Sequence, residues 1–141
     1  MKKAGIIRSL RIIYPVWVAF GIFSLLYVPG ETIVPGDGRA TVDAINEQVL
    51  LFKLGIAGSL VTQLLFILAV VLLHRLFSGV DKRWRTWLLV LGLTGVPIAM
   101  MNTLNLLAGL TLIRAEWVPN FLDVDEISGW VLFFMELNEQ G

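Results

Sequence analysis

Three uncharged apolar runs, Ile12–Val28, Leu54–Leu73 and Trp87–Ile113, constrain what this chain can fold into. A helix rises about 1.5 Å per residue, so a hydrocarbon layer about 30 Å thick needs about 20 residues to cross. The runs have 17, 20 and 27 residues. Lipid offers no hydrogen bonds to an open backbone, so each run is read as a helix. Composition points the same way: 57% of residues are hydrophobic and 16% charged, against about 45–50% and about 25% in soluble domains. A globule of this size exposes too much surface to hide that surplus. The expected fold class is all-α: a transmembrane helical bundle of three spans. A short C-terminal piece follows, either amphipathic or an incomplete fourth helix.

Charge along the chain orients the runs, because short cytoplasmic loops carry the excess of Lys and Arg. The leader holds Lys2, Lys3, Arg8 and Arg11 and no acid. The connection after the second run holds Arg75, Lys82, Arg83 and Arg85 against Asp81. Pro29–Val49 instead carries Glu31, Asp37, Asp43 and Glu47 against Arg39, and Arg114 is followed by Glu116, Asp123, Asp125 and Glu126. The reading is a single multi-pass domain over 1–141 with its N-terminus cytoplasmic. Its spans are about 12–28, 54–73 and 87–113, with an outer loop 29–53, an inner loop 74–86 and an outer tail 114–141. The first run ends in Tyr27-Val28-Pro29-Gly30-Glu31, without the small-x-small site of a cleaved leader, and is read as an uncleaved span. Pro15 is expected in its first turn, where a missing N–H costs little, and Tyr14 and Trp17 at the lipid headgroups.

The connections have some structure of their own. Pro29-Gly30 and Pro35-Gly36-Asp37-Gly38 signal turns. Val42, Ile45 and Val49 recur at helical spacing, which predicts a short amphipathic helix lying on the outer surface and leading into the second span. The third run, longer than the bilayer requires, can kink at Pro97 with Gly92 and Gly95 nearby. Ile127–Met135 is apolar but too short to span.

Polar residues inside spans are the default candidates for function. The second run carries Ser59, Thr62 and Gln63, the third Thr94, Asn102, Thr103 and Asn105. In an antiparallel hairpin Gln63 and Asn102 fall near mid-bilayer. Ser59 lies four residues outward of Gln63 and Asn105 three outward of Asn102, spacings that return to one helix face. Ser59 and Gln63 are therefore expected to face Asn102 and Asn105. The plainer role is interhelical hydrogen bonding, worth about 0.6–2 kcal/mol per bond. The functional one is a polar substrate or ion site. The small residues Gly55, Ala57, Gly58 and Ser59, and Gly92 with Gly95, would let helices approach closely.

No catalytic constellation emerges. His74, the one histidine, sits at a helix end beside Arg75 with no carboxylate or nucleophile at a spacing that would orient it. Asp123-x-Asp125 fails as a calcium loop, because positions 5, 6 and 12 would be Ile127, Ser128 and Phe134. There is no cysteine, phosphate loop or zinc spacing. No cofactor and no metal are expected. Zero net charge from 11 basic and 11 acidic residues argues against a nucleic-acid partner. The lipid bilayer is the expected partner; a homo-oligomer is left open, and no small-molecule ligand is identified. The leading function is a non-enzymatic membrane bundle. Its alternatives are a transporter or permease component using Ser59, Gln63, Asn102 and Asn105, and a membrane enzyme whose active groups lie in a further C-terminal part.

Five stretches, in this order, resemble the bacterial membrane family called domain of unknown function 4386. They are Ile33–Asp37 with Ala40-Thr41; Leu51–Ile56; Leu73–Phe77 with Val80–Lys82, where the family more usually has Tyr than His74; Asn102–Leu107; and Phe134–Gly141. The resemblance implies a multi-span helical protein of a bacterial or archaeal cytoplasmic membrane, with no assigned activity. It also implies further hydrophobic segments beyond Gly141, so the chain is expected to be a fragment.

Overall fold

The first membrane-length helix is a composite. In the computed structural model, which describes residues 3–140, α1 (Lys3–Ile22) passes through a π-helical turn (Phe23–Tyr27) into α2 (Val28–Thr32). Together they form a rod of 30 residues. At the turn the Val28 N–H donates to the Phe23 carbonyl, five residues back, and the following Pro29 has no N–H to restore the α-register. The Ser24 hydroxyl donates to the Phe20 carbonyl at 2.6 Å. Because α1 starts nine residues before the apolar run, Pro15 lies inside the helix, not in its first turn. Trp17, on the same helix, is partly buried. Its ring packs on Phe66 at 5.7 Å and 30°, and Phe66 lies well inside the next long helix.

The connection after this rod folds tightly. Gly36 takes φ +75°, a left-handed conformation that suits glycine. Asp37 then caps α3 (Gly38–Glu47), its carboxylate accepting from the Ala40 N–H at 2.9 Å. The buried Thr41 hydroxyl ties the cap to the preceding strand-like residues. It accepts from the Val34 N–H at 3.0 Å and donates to the Asp37 carbonyl at 2.8 Å. A non-helical Gln48 separates α3 from α4 (Val49–Leu76). The expected short amphipathic helix is thus present, with its apolar face turned to the protein core. Ile45 is fully buried in the core shared with the last helix.

Helix α5 (Lys82–Arg114) returns antiparallel to α4 as one 33-residue helix that includes Pro97. Gly92 lets the two approach: a Cβ there would stand 2.9 Å from both γ-carbons of Val70. Beyond a 3₁₀ turn (Val118–Asn120), α6 (Val124–Gln140) folds back along the C-terminal half of α5. Gly109 opens the groove that receives the Met135 side chain. The main core draws Val28, Ile45, Phe52, Ile56, Leu106, Val131 and Met135 from α2, α3, α4, α5 and α6. A smaller cluster of Ile6, Leu10, Ala69 and Leu72 joins the N-terminal part of α1 to the C-terminal part of α4. Among the described residues the fold is all-helical, with three helices long and apolar enough to cross a membrane.

Candidate intramembrane polar site

The register of the α4–α5 hairpin sets the level of its polar groups. Gly92 against Val70, together with Ile56 and Leu106 in one cluster, places Asn102 level with Leu60 and Asn105 level with Ala57. Asn102 therefore lies between the levels of Ser59 and Gln63. Ser59 is buried, and Gln63, Asn102 and Asn105 are half-buried. Ser59 and Gln63 continue the stripe begun by Phe52 and Ile56, the core-facing side of α4.

Among the described residues, no hydrogen bond joins any two of these four side chains. The neighbouring hydroxyls are satisfied within their own helices. Thr62 donates to the Gly58 carbonyl at 2.9 Å and Thr103 to the Ala99 carbonyl at 3.1 Å, the back-bonding typical of helical Ser and Thr. Ser59 differs. Its Oγ is buried with no hydrogen-bond partner. The hydrogen bond that reaches the group comes from α6: Asn138 Nδ2 donates to the Asn102 carbonyl oxygen at 2.8 Å. A helical carbonyl has a second lone pair, so it can take this bond beside its ladder bond.

Asn138 is the member of this neighbourhood that sequence reasoning missed. The spacing between α5 and α6 offers no register to read, and the clue available was Gly109 as a seat for a crossing side chain. The acidic residues near the start of α6 have local tasks. Asp123 accepts from the Glu126 N–H at 2.8 Å and Glu126 accepts from the Asp123 N–H at 2.9 Å, a reciprocal cap legible in Asp123-x-x-Glu126. Asp125 pairs with Arg39 of α3. That hydrogen bond, then the charge attraction, raises the guanidinium pKa above its ordinary value. The described residues contain no cluster of three or more metal-ligating side chains.

A family model for a domain of unknown function, DUF4386, matches residues 12–141. The chain belongs to the DUF4386 family. No curated protein and no solved structure matches it. In this DUF4386 protein the stretches that carry the sequence resemblance take distinct places. Ile33–Asp37 forms the turn into α3, Leu73–Phe77 ends α4, and Asn102–Leu107 is the part of α5 touched by α6. The last stretch, Phe134–Gln140, forms the closing turns of α6, with Met135 in the core.

Proposed function

We propose that this chain is a non-enzymatic helical bundle of the cell membrane, with its N-terminus and the α4–α5 connection cytoplasmic and α3 outside. The observation that carries this reading is the segregation of side chains on the long helices. Leu26, Leu64, Leu91, Met101 and Leu104 are among the most exposed apolar residues, whereas Ser24, Ser59, Thr62 and Thr103 are buried. That is inside-out relative to a protein folded in water and suits lipid as the solvent. The basic inner segments supply the orientation.

The chain contains no cysteine, so single cysteines report cleanly. In intact spheroplasts a membrane-impermeant maleimide is expected to label Asp43→Cys and to spare Ser78→Cys until the membrane is permeabilised. The reverse pattern would overturn the orientation, and ready labelling of Leu64→Cys would overturn the embedding.

A second reading, a transporter or permease component, is favoured by one feature: the unpartnered buried hydroxyl of Ser59. It requires Ser59, Gln63, Asn102 and Asn105 to line a wet cavity. Labelling of Ser59→Cys by a small impermeant thiol reagent supports that reading; protection of the same cysteine supports a dry, structural interface.

A further inference from the structure

A cavity of about 370 Å³ lies where the α1–α2 rod meets the last turns of α6. Its apolar walls are Leu25, Pro29, Ile33, Pro35 and Met135, and its polar side chains are Asn138 and Glu139. The described lining holds no Lys, Arg or His. The size falls within the range of small-molecule sites, about 300–1,000 Å³.

Both polar side chains present acceptors. Asn138 Nδ2 donates to the Asn102 carbonyl at 2.8 Å. A carbonyl can only accept, so the amide nitrogen is held on that side and Asn138 Oδ1 is left to accept. The Glu139 carboxylate has no ion pair and no hydrogen bond among the described residues. The backbone supplies a further acceptor. Leu25 and Pro29 line the cavity together, and because position 29 is proline the Leu25 carbonyl has no i+4 donor. The π-helical turn beside it also draws the Val28 N–H back to Phe23, and such turns are frequent at functional sites.

Asn138 is level with Asn102, well inside the 33-residue α5. A carboxylate at that depth in a membrane is costly unless a positive charge meets it. Three acceptors are too few for a bare metal ion such as calcium, which takes about 6–8 oxygens. They match the three N–H donors of a primary ammonium, whose apolar remainder suits the Leu25, Ile33 and Met135 walls.

We propose that this cavity binds a small organic cation, a primary ammonium on an apolar body. The ammonium donates to the Glu139 carboxylate and to Asn138 Oδ1, with the Leu25 carbonyl as the third acceptor. The proposal rests on the membrane-embedded reading above, and it adds a ligand class and a seat for it.

The test uses the full chain in phosphatidylcholine nanodiscs with radiolabelled benzylamine, and binding is counted by scintillation proximity. Wild type is expected to bind benzylamine saturably, and benzyl alcohol, its neutral counterpart, should fail to compete. Glu139→Gln should weaken binding about tenfold, the loss expected for one hydrogen bond to a charged group. Gly30→Leu should weaken it by occupying the space: Gly30 lines the cavity, and a Cβ there meets nothing within 4 Å, so the fold has room for the change. Glu136→Gln, exposed on α6 and outside the described lining, should change nothing. No saturable binding above empty nanodiscs would overturn the site. So would unchanged affinity in Glu139→Gln or, should that variant fail to incorporate, in Gly30→Leu. Competition by benzyl alcohol at matched concentration would overturn the ammonium assignment in favour of an apolar hollow, and displacement by calcium would overturn it in favour of a metal site. Failure of the wild-type chain to enter nanodiscs would count against the embedded reading itself, a separate outcome.

Discussion

Replacing Gly55 with alanine should loosen the packing of the α1–α2 rod on α4. A Cβ at Gly55 would lie 2.6 Å from Val28 Cγ1, 3.0 Å from its Cβ and 3.1 Å from its Cγ2. Ordinary contact begins at 3.4 Å, so the nearest carbon must retreat by 0.8 Å. Val28 cannot do this by a rotamer change alone, because all three of its nearby carbons crowd the position and a helical valine has one strongly preferred χ1. The residue also follows the π-helical turn directly and is held in the main core. Overpacking of this kind costs about 1–3 kcal/mol. Alanine recovers about 0.8–1 kcal/mol of helix propensity over glycine, leaving a net loss of about 1 kcal/mol. Unfolding in mixed micelles by sodium dodecyl sulfate, followed by tryptophan fluorescence, reads this directly, since Trp17 packs on Phe66 across the same pair of helices. Val28→Ala in the Gly55→Ala background should recover stability, with a coupling of at least about 0.5 kcal/mol in the double-mutant cycle. A Gly55→Ala protein as stable as wild type, with no coupling to Val28, would refute the reasoning. Gly95→Ala is the matched control, because a Cβ there meets nothing within 4 Å; it should be neutral or stabilise by up to about 1 kcal/mol.

Three further perturbations probe the contacts of α6. Asn138→Leu removes the hydrogen bond to the Asn102 carbonyl and should cost about 0.6–1.7 kcal/mol, the range measured for interhelical bonds in membranes; faster amide exchange confined to α6 is the readout. Asp123→Ala removes one arm of the reciprocal cap and should cost about 0.5–2 kcal/mol, seen as a lower Tm and earlier proteolysis near Asn120. Arg39→Ala breaks an ion pair whose side chains are 66% and 71% exposed. It should leave stability nearly unchanged, with any small effect lost in high salt, and a large, salt-insensitive loss would refute its surface character.

Much of the architecture was legible because membrane helices announce themselves locally. The uncharged runs located the three long helices, and Asp37, Gly36 and the Val42/Ile45 spacing located α3. The helices outrun the apolar runs at most ends, because a helix continues through polar residues once its ladder is nucleated and ends at signals such as Asp81 and Gln48. Pro15 was misplaced for the same reason: counting from the apolar run instead of from Lys3 put it in the first turn of the helix. The π-helical turn left only Pro29 as a trace. The polar site was partly legible. Spacing picked out Ser59, Gln63, Asn102 and Asn105 as residues on inward faces, but which group reaches which depends on how far each helix slides and rotates against its neighbours.

The sequence by itself determined that the chain is helical, membrane-embedded in character and a DUF4386 member, because hydropathy, charge and short motifs are properties of neighbouring residues. Only the tertiary structure decided that the C-terminal helix packs against α3 and α5, that Asn138 engages Asn102, and that Ser59 and Arg85 are left with buried groups in want of partners. Those outcomes follow from contacts between residues far apart in the chain, such as Gly109 with Met135 and Gly55 with Val28. Close packing, with no local pattern to record it, selects them.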